Sequence, residues 1–151
     1  MPTAGGPGTV RAMPMIDVYA VAGTFGEPRE LARDLARAVM RWEGVPDIPP
    51  FADNTAAFIH HLPDDAICDA AGAGDRVRVQ VLTPAGVLDR DKQLGVVKEL
   101  TEIVAAAGDP TLAERTRVLI TESPDGGWGI AGHANTRADI AASARAALAG
   151  R

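Results

Sequence analysis

Cysteine is nearly absent: Cys68 stands alone in 151 residues, so no disulfide framework can form within the chain. A reducing, cytoplasmic setting is the expectation, with Cys68 a small unreactive filler. Aromatic residues make up only 4% of the chain, so a core must be built from Val, Leu, Ile and Ala rather than from stacked rings. No apolar run approaches the roughly 18–20 residues that span a bilayer, and the glycine- and proline-rich Met1–Ala12 lacks the apolar centre of a secretory signal. Excess positive charge is missing too. A formal net charge of −5 and a pI near 5.1 exclude nucleic acid and an anionic membrane as main partners, because both need a basic footprint. Small molecules and other proteins remain.

What is present is an apolar content of 46% over a length that suits one domain with a real core. Residues 1–13 carry no hydrophobic periodicity and read as a disordered extension or an overcalled translation start. From Met15 to Val21 the side chains alternate, with Ile16, Val18 and Ala20 against Asp17 and Tyr19, which is strand periodicity. A helix follows from Pro28, its apolar stripe formed by Leu31, Leu35, Ala38 and Trp42, and Gly44 and Pro46 end it. Arg29, Arg33, Arg37 and Arg41 recur at four-residue spacing beside Glu30 and Asp34, the pattern of a solvated face. The proline-rich Val45–Asn54 is expected to be irregular, and Thr55–Leu62 reads as a second strand. His60 and His61 would point to opposite sides of it. With no third ligand at metal spacing, no metal site is expected.

The second half repeats the first. Val77, Val79 and Val81 share one strand face, a helix is expected from about Asp89 to Ala107 with Leu94, Val97, Thr101 and Val104 on one stripe, and Arg117–Glu122 is a fourth strand. Tyr19, Ala22, Gly23 and Phe25 match Leu82, Ala85, Gly86 and Leu88 at one offset, which also pairs Leu31 with Leu94. The expected fold is therefore α/β (α+β): two β-α-β units, about 14–63 and 76–132, forming a four-stranded mixed sheet with two helices on one face. A short hairpin arm over Pro124–Gly132 and an alanine-rich helix over Thr136–Leu148 complete a domain of residues 14–151. The other sheet face would carry Asp17, Tyr19, Phe58, His60, Arg78, Gln80 and Leu119. No third layer remains in the chain to cover these groups, which points to a symmetric oligomer.

Two stretches carry a resemblance. The opening Pro14-Met15-Ile16-Asp17-Val18-Tyr19 and the later Arg117-Val118-Leu119-Ile120-Thr121-Glu122, followed by Trp128-Gly129-Ile130-Ala131-Gly132, resemble the 4-oxalocrotonate tautomerase group of the tautomerase superfamily, in its fused form with two β-α-β units in one chain. The resemblance covers Pro14 to about Gly132. It implies a tautomerase or isomerase with Pro14 as catalytic N-terminal proline, conditional on Pro14 being the mature terminus. It further implies that Arg117 polarises substrate, often in a neighbouring subunit's site, that Trp128 keeps the proline pocket apolar, and that three chains assemble as a homotrimer. No cofactor is implied, and the partner is a small enol or keto acid.

The chemistry of the residues agrees with this. A free α-amino group titrates near 8, and burial against Trp128 would lower that value and leave a neutral amine able to act as general base beside a carbonyl. Arg117 would stabilise the enolate that forms. The sequence also departs from the group's pattern. The arginine that simple members carry after the first strand is replaced by Thr24 in one half and Val87 in the other. Thr83–Val87 lacks the paired arginines of the dehalogenase branch, and Trp128–Gly132 lacks its water-activating acid, so hydration and dehalogenation rank below tautomerisation. Decarboxylation of a β-keto acid and a non-catalytic trimeric binder with a blocked proline are the alternatives. His133 and Asn135 could line the pocket, although a turn or helix-cap role suits Asn135 better.

Overall fold

The computed structural model describes residues 13–150; the expected extension, apart from Met13, lies outside the described residues. The chain runs β1 (Met15–Val21), α1 (Pro28–Glu43), α2 (Pro49–Ala52), β2 (Ala56–Leu62), β3 (Val77–Pro84), α3 (Arg90–Ala107), α4 (Leu112–Arg115), β4 (Thr116–Ser123), β5 (Trp128–Ile130), β6 (His133–Asn135) and α5 (Arg137–Ala149). The four long strands form one sheet in the order β2-β1-β3-β4. β1 is parallel to β2 and β3 to β4, while β1 and β3 run antiparallel at the centre. Each half is thus a β-α-β unit, as the internal repeat predicts, and the structure joins the units across the β1/β3 pair.

Strand alternation sets the layers. Ile16, Val18, Val79 and Val81 are fully buried beneath α1 and α3, with Ala57, Ile59, Val118 and Ile120 packed around them from the outer strands. On α1 the arginine row is exposed, and Arg37 and Arg41 pair with Asp47 and Glu99. Gly44 ends the helix in the left-handed conformation at φ 73°, which a side chain would disfavour.

Two expectations need correction. α3 is rotated from the predicted stripe: Val96, Leu100 and Val104 are buried, whereas Leu94 is 53% and Val97 38% exposed. The apolar arc of this helix is wider than the surface it buries, so composition leaves its rotation open. Packing decides it. Gly95 faces the Trp42 ring so closely that a Cβ there would lie 2.1 Å from the ring, and Trp42 donates its indole N–H to Glu99 at 2.8 Å. Leu94 and Val97 are left along a groove beside Val118 and Ile120 of edge strand β4. The second correction concerns Val45–Asn54, expected to be irregular, which holds α2 with a proline in its first turn and buries Phe51.

Candidate functional site

Pro14 is buried immediately before β1. The antiparallel register pairs Ile16 with Val81 and Met15 with Leu82, so Pro14 stands level with Thr83, on the helix side of the sheet. The parallel register pairs Met15 with Ala56 and so brings Thr55 level on the other side. Both threonines are buried, and Thr55 Oγ1 donates to the Phe51 carbonyl at 2.9 Å.

Around this end of the sheet lies a second apolar cluster, distinct from the core under the helices. Met13, Met40, Val45, Phe51, Trp128, Ile140 and Ala144 are its buried members. Trp128 comes from β5, which pairs with β6 through the tight turn Ala131-Gly132, both at positive φ (51° and 85°). Asn135 fastens the hairpin by donating Nδ2–H to the Trp128 carbonyl at 3.0 Å and the His133 carbonyl at 3.1 Å. The helix cap falls one residue later: Thr136 and Asp139 form a reciprocal capping box that starts α5 and lays Ile140 and Ala144 onto the cluster. The Asp139 carboxyl is held below its usual range chiefly by the Thr136 backbone N–H, then by the Thr136 hydroxyl. His133 is exposed, 3.5 Å from Asp139.

Two cavities flank the cluster. One of about 190 Å³ is lined by Met13, Phe51, Asn54, Ile130, Asn135 and Ile140 among others. The other, about 360 Å³, lies against Met15, Leu82, Ser123 and Trp128. Neither has an arginine or lysine in its lining among the described residues. Thr24 donates to the Val21 carbonyl and Val87 is buried, so the positions where an arginine is missing stay uncharged.

Pro14 and Trp128 are therefore brought to the same end of the sheet. Arg117 is not. It pairs in register with Arg78, five positions along β3 from Thr83, a separation of about 16 Å at roughly 3.3 Å per residue. Its guanidinium is exposed and donates to the backbone carbonyls of Glu114 and Thr116. On that face Asp17 Oδ1 and His60 Nε2 are hydrogen-bonded at 2.7 Å, His60 stacks on Tyr19, and Arg78 lies over the same ring.

One group near Pro14 escaped the sequence reading. Glu43, the last residue of α1, is only 2% exposed. Thr83 Oγ1 donates to its Oε1 at 2.5 Å, and Oε2 has no hydrogen-bond partner among the described residues. Burial pushes the carboxyl up from 4.5 to about 8, against the smaller opposing effects of the Thr83 hydroxyl and Lys92. The signal was available: Leu31, Leu35, Val39 and Glu43 form a four-residue ridge, and the glutamate continues its buried face.

The fold, two β-α-β units in one chain sharing a mixed four-stranded sheet, is similar to that of solved fused 4-OT proteins. A native fused 4-OT matches with a TM-score of 0.66 and 22% identity, over 91% of this chain and 99% of that one. A fused 4-OT solved as a symmetric trimer matches with 0.69 and 18%, over 83% and 98%. Malonate semialdehyde decarboxylase, described with decarboxylase and hydratase activities, matches with 0.59 and 14%, over 77% and 89%. In sequence, the chain is 38% identical over 87 residues to the acetylglutamate kinases of Chelativorans sp. (strain BNC1) and Brucella canis, across 56% of this chain and 29% of each enzyme. It thus spans less than a third of the length of the curated relatives it matches. No family model matches the chain.

Proposed function

We propose that this protein is a tautomerase-superfamily enzyme in which Pro14, as the mature N-terminus, is the general base and acid for keto-enol or double-bond isomerisation of a small carbonyl or carboxylate compound. The observation that carries this reading is the burial of Pro14 at the head of β1, at the end of the sheet where Trp128 closes an apolar cluster. A free secondary amine there would be poorly hydrated, which favours its neutral form. It takes the proton from the carbon beside the carbonyl, the electron pair moves to the carbonyl oxygen, and the ammonium returns the proton elsewhere on the enolate. Arg117 of the partner subunit in a homotrimer would steady the developing charge. The exposed far face, with Phe58 50% and Leu119 44% accessible, supports such an assembly.

A second reading has its own support. Met13 is itself buried in the cluster, so a chain that keeps Met13 would fill part of the pocket and hold Pro14 as an inert amide. That state would be a non-catalytic trimeric binder. Mass spectrometry of the mature terminus, with turnover of phenylenolpyruvate by a chain beginning at Pro14 and by its Pro14→Ala variant, separates the two. The enzymatic reading expects a loss of about 10²–10⁴ in the variant. No turnover by the chain beginning at Pro14 would overturn it.

A further inference from the structure

We infer that Glu43, held by Thr83, places an uncharged acid beside the Pro14 nitrogen once it is free, so that neither the amine nor the developing enolate meets a negative charge, making Glu43 a positioning residue of the proline site. The inference rests on the proposed role of Pro14. Its geometry is that of three neighbouring positions. One step beyond the Met15–Leu82 pair, the antiparallel register sets Pro14 against Thr83 on one face, and opposed Cβ atoms in such a ladder are about 4.5–5.5 Å apart. The Thr83 hydroxyl donates to the Glu43 carboxyl at 2.5 Å. The second carboxyl oxygen is buried with no partner among the described residues, a costly arrangement for an ionised group and an incomplete one for a neutral acid.

A carboxylate beside a buried secondary amine would stabilise its ammonium and remove the base. A carboxylic acid in the same place leaves the amine neutral. Burial favours the second arrangement, because two neutral groups avoid the desolvation cost of a buried ion pair. Lys92 of α3 is the charge that acts on Glu43, and it opposes that burial effect only in part. Arg41, on the same helix, and Glu99, on α3, are engaged with each other at 3.2 Å. The apolar cluster of Met13, Trp128 and α5 contributes no charge from its buried members. The carboxyl is therefore un-ionised at neutral pH, in keeping with its rise to about 8. Above that value a negative charge appears beside the amine, and the two groups titrate as a coupled pair.

The test is the pH profile of kcat/KM for the chain beginning at Pro14, beside Glu43→Gln and Thr83→Val, with a proline-nitrogen NMR titration on each. The parent is expected to give a bell: its acid limb follows the amine, and its alkaline limb follows Glu43, whose negative charge leaves the amine neutral but opposes the enolate charge that develops on the substrate, so that activity falls as Glu43 ionises. Glu43→Gln keeps the acid limb and loses the alkaline one. Thr83→Val, which removes the hydroxyl that holds the acid, moves the alkaline limb. An alkaline limb unchanged in both variants, with Pro14 titrating as in the parent, would refute the inference and leave Glu43 a structural group. Pro14→Ala tells the two failures apart: if it keeps full activity the role of Pro14 falls, and if it is inactive while the limb persists in Glu43→Gln, only the role of Glu43 falls.

Discussion

At the scale of single residues, Pro14 and Glu43 differ in how openly the sequence displays them. The place of Pro14 at the head of β1 is legible because a strand pattern begins on its heels, and that of Trp128 because glycines flank it in a hairpin-like stretch. Glu43 is hidden because a charged residue at a helix end, two positions after exposed Arg41, reads as solvated, and only the ridge through Leu35 and Val39 betrays it. Its burial has a consequence for stability apart from catalysis. The folded state binds the Glu43 proton more tightly than the unfolded chain, since its value rises from 4.5 to about 8. The stability it contributes is therefore fully present below about 4.5 and is lost as pH climbs through 8. We expect urea unfolding to show the parent protein losing on the order of a few kcal/mol between pH 5 and pH 8, and Glu43→Gln losing little of it. Parallel curves for the two proteins would mean that Glu43 is ionised and paired in the fold.

At the scale of elements, the order of the long strands and helices was readable, and so was the duplication, because alternation and the repeated strand ends are properties of the chain itself; the one-turn α2 and α4 were not. The rotation of α3 was not. Leu94, Val96, Val97, Leu100, Ile103 and Val104 spread over most of one helix side, and the choice among them is made by the Trp42 ring lying on Gly95. Gly95→Ala exposes that dependence. Alanine gains about 0.5–1 kcal/mol over glycine in a helix interior. Its Cβ would fall 2.1 Å from a ring that is fixed by the Glu99 hydrogen bond, and overpacking of this kind costs about 1–3 kcal/mol. The clash outweighs the propensity, so Gly95→Ala is expected to destabilise by roughly 1–2 kcal/mol in chemical denaturation. Trp42→Phe in the same background should return part of that loss, because the smaller ring vacates the space the new methyl needs. Stabilisation by Gly95→Ala alone would show that the α1–α3 contact is looser than the ring's position implies.

At the scale of the whole molecule, the pseudo-twofold arrangement puts the start of β1 and the end of β3 together and sends the start of β4 to the far end of the sheet. Arg117 lies about 16 Å along the strands from the level of Pro14, farther than an arginine side chain extends, so one chain does not unite the two. Their resemblance-based roles can both hold only if the site is shared between subunits, and the open sheet face offers the surface on which subunits would meet. This makes a sharp prediction for mixed oligomers. Pro14→Ala and Arg117→Ala proteins, each inactive alone, are unfolded together, refolded and assayed. In a cyclic trimer whose sites each take Pro14 from one chain and Arg117 from the next, random assembly at equal proportions restores about a quarter of the sites. If both residues acted within one chain, every site would carry one defect and no activity would return; sedimentation of the mixture as monomers would equally remove the shared site. Recovery near a quarter, with the trimer mass, would place the arginine of each subunit at its neighbour's proline.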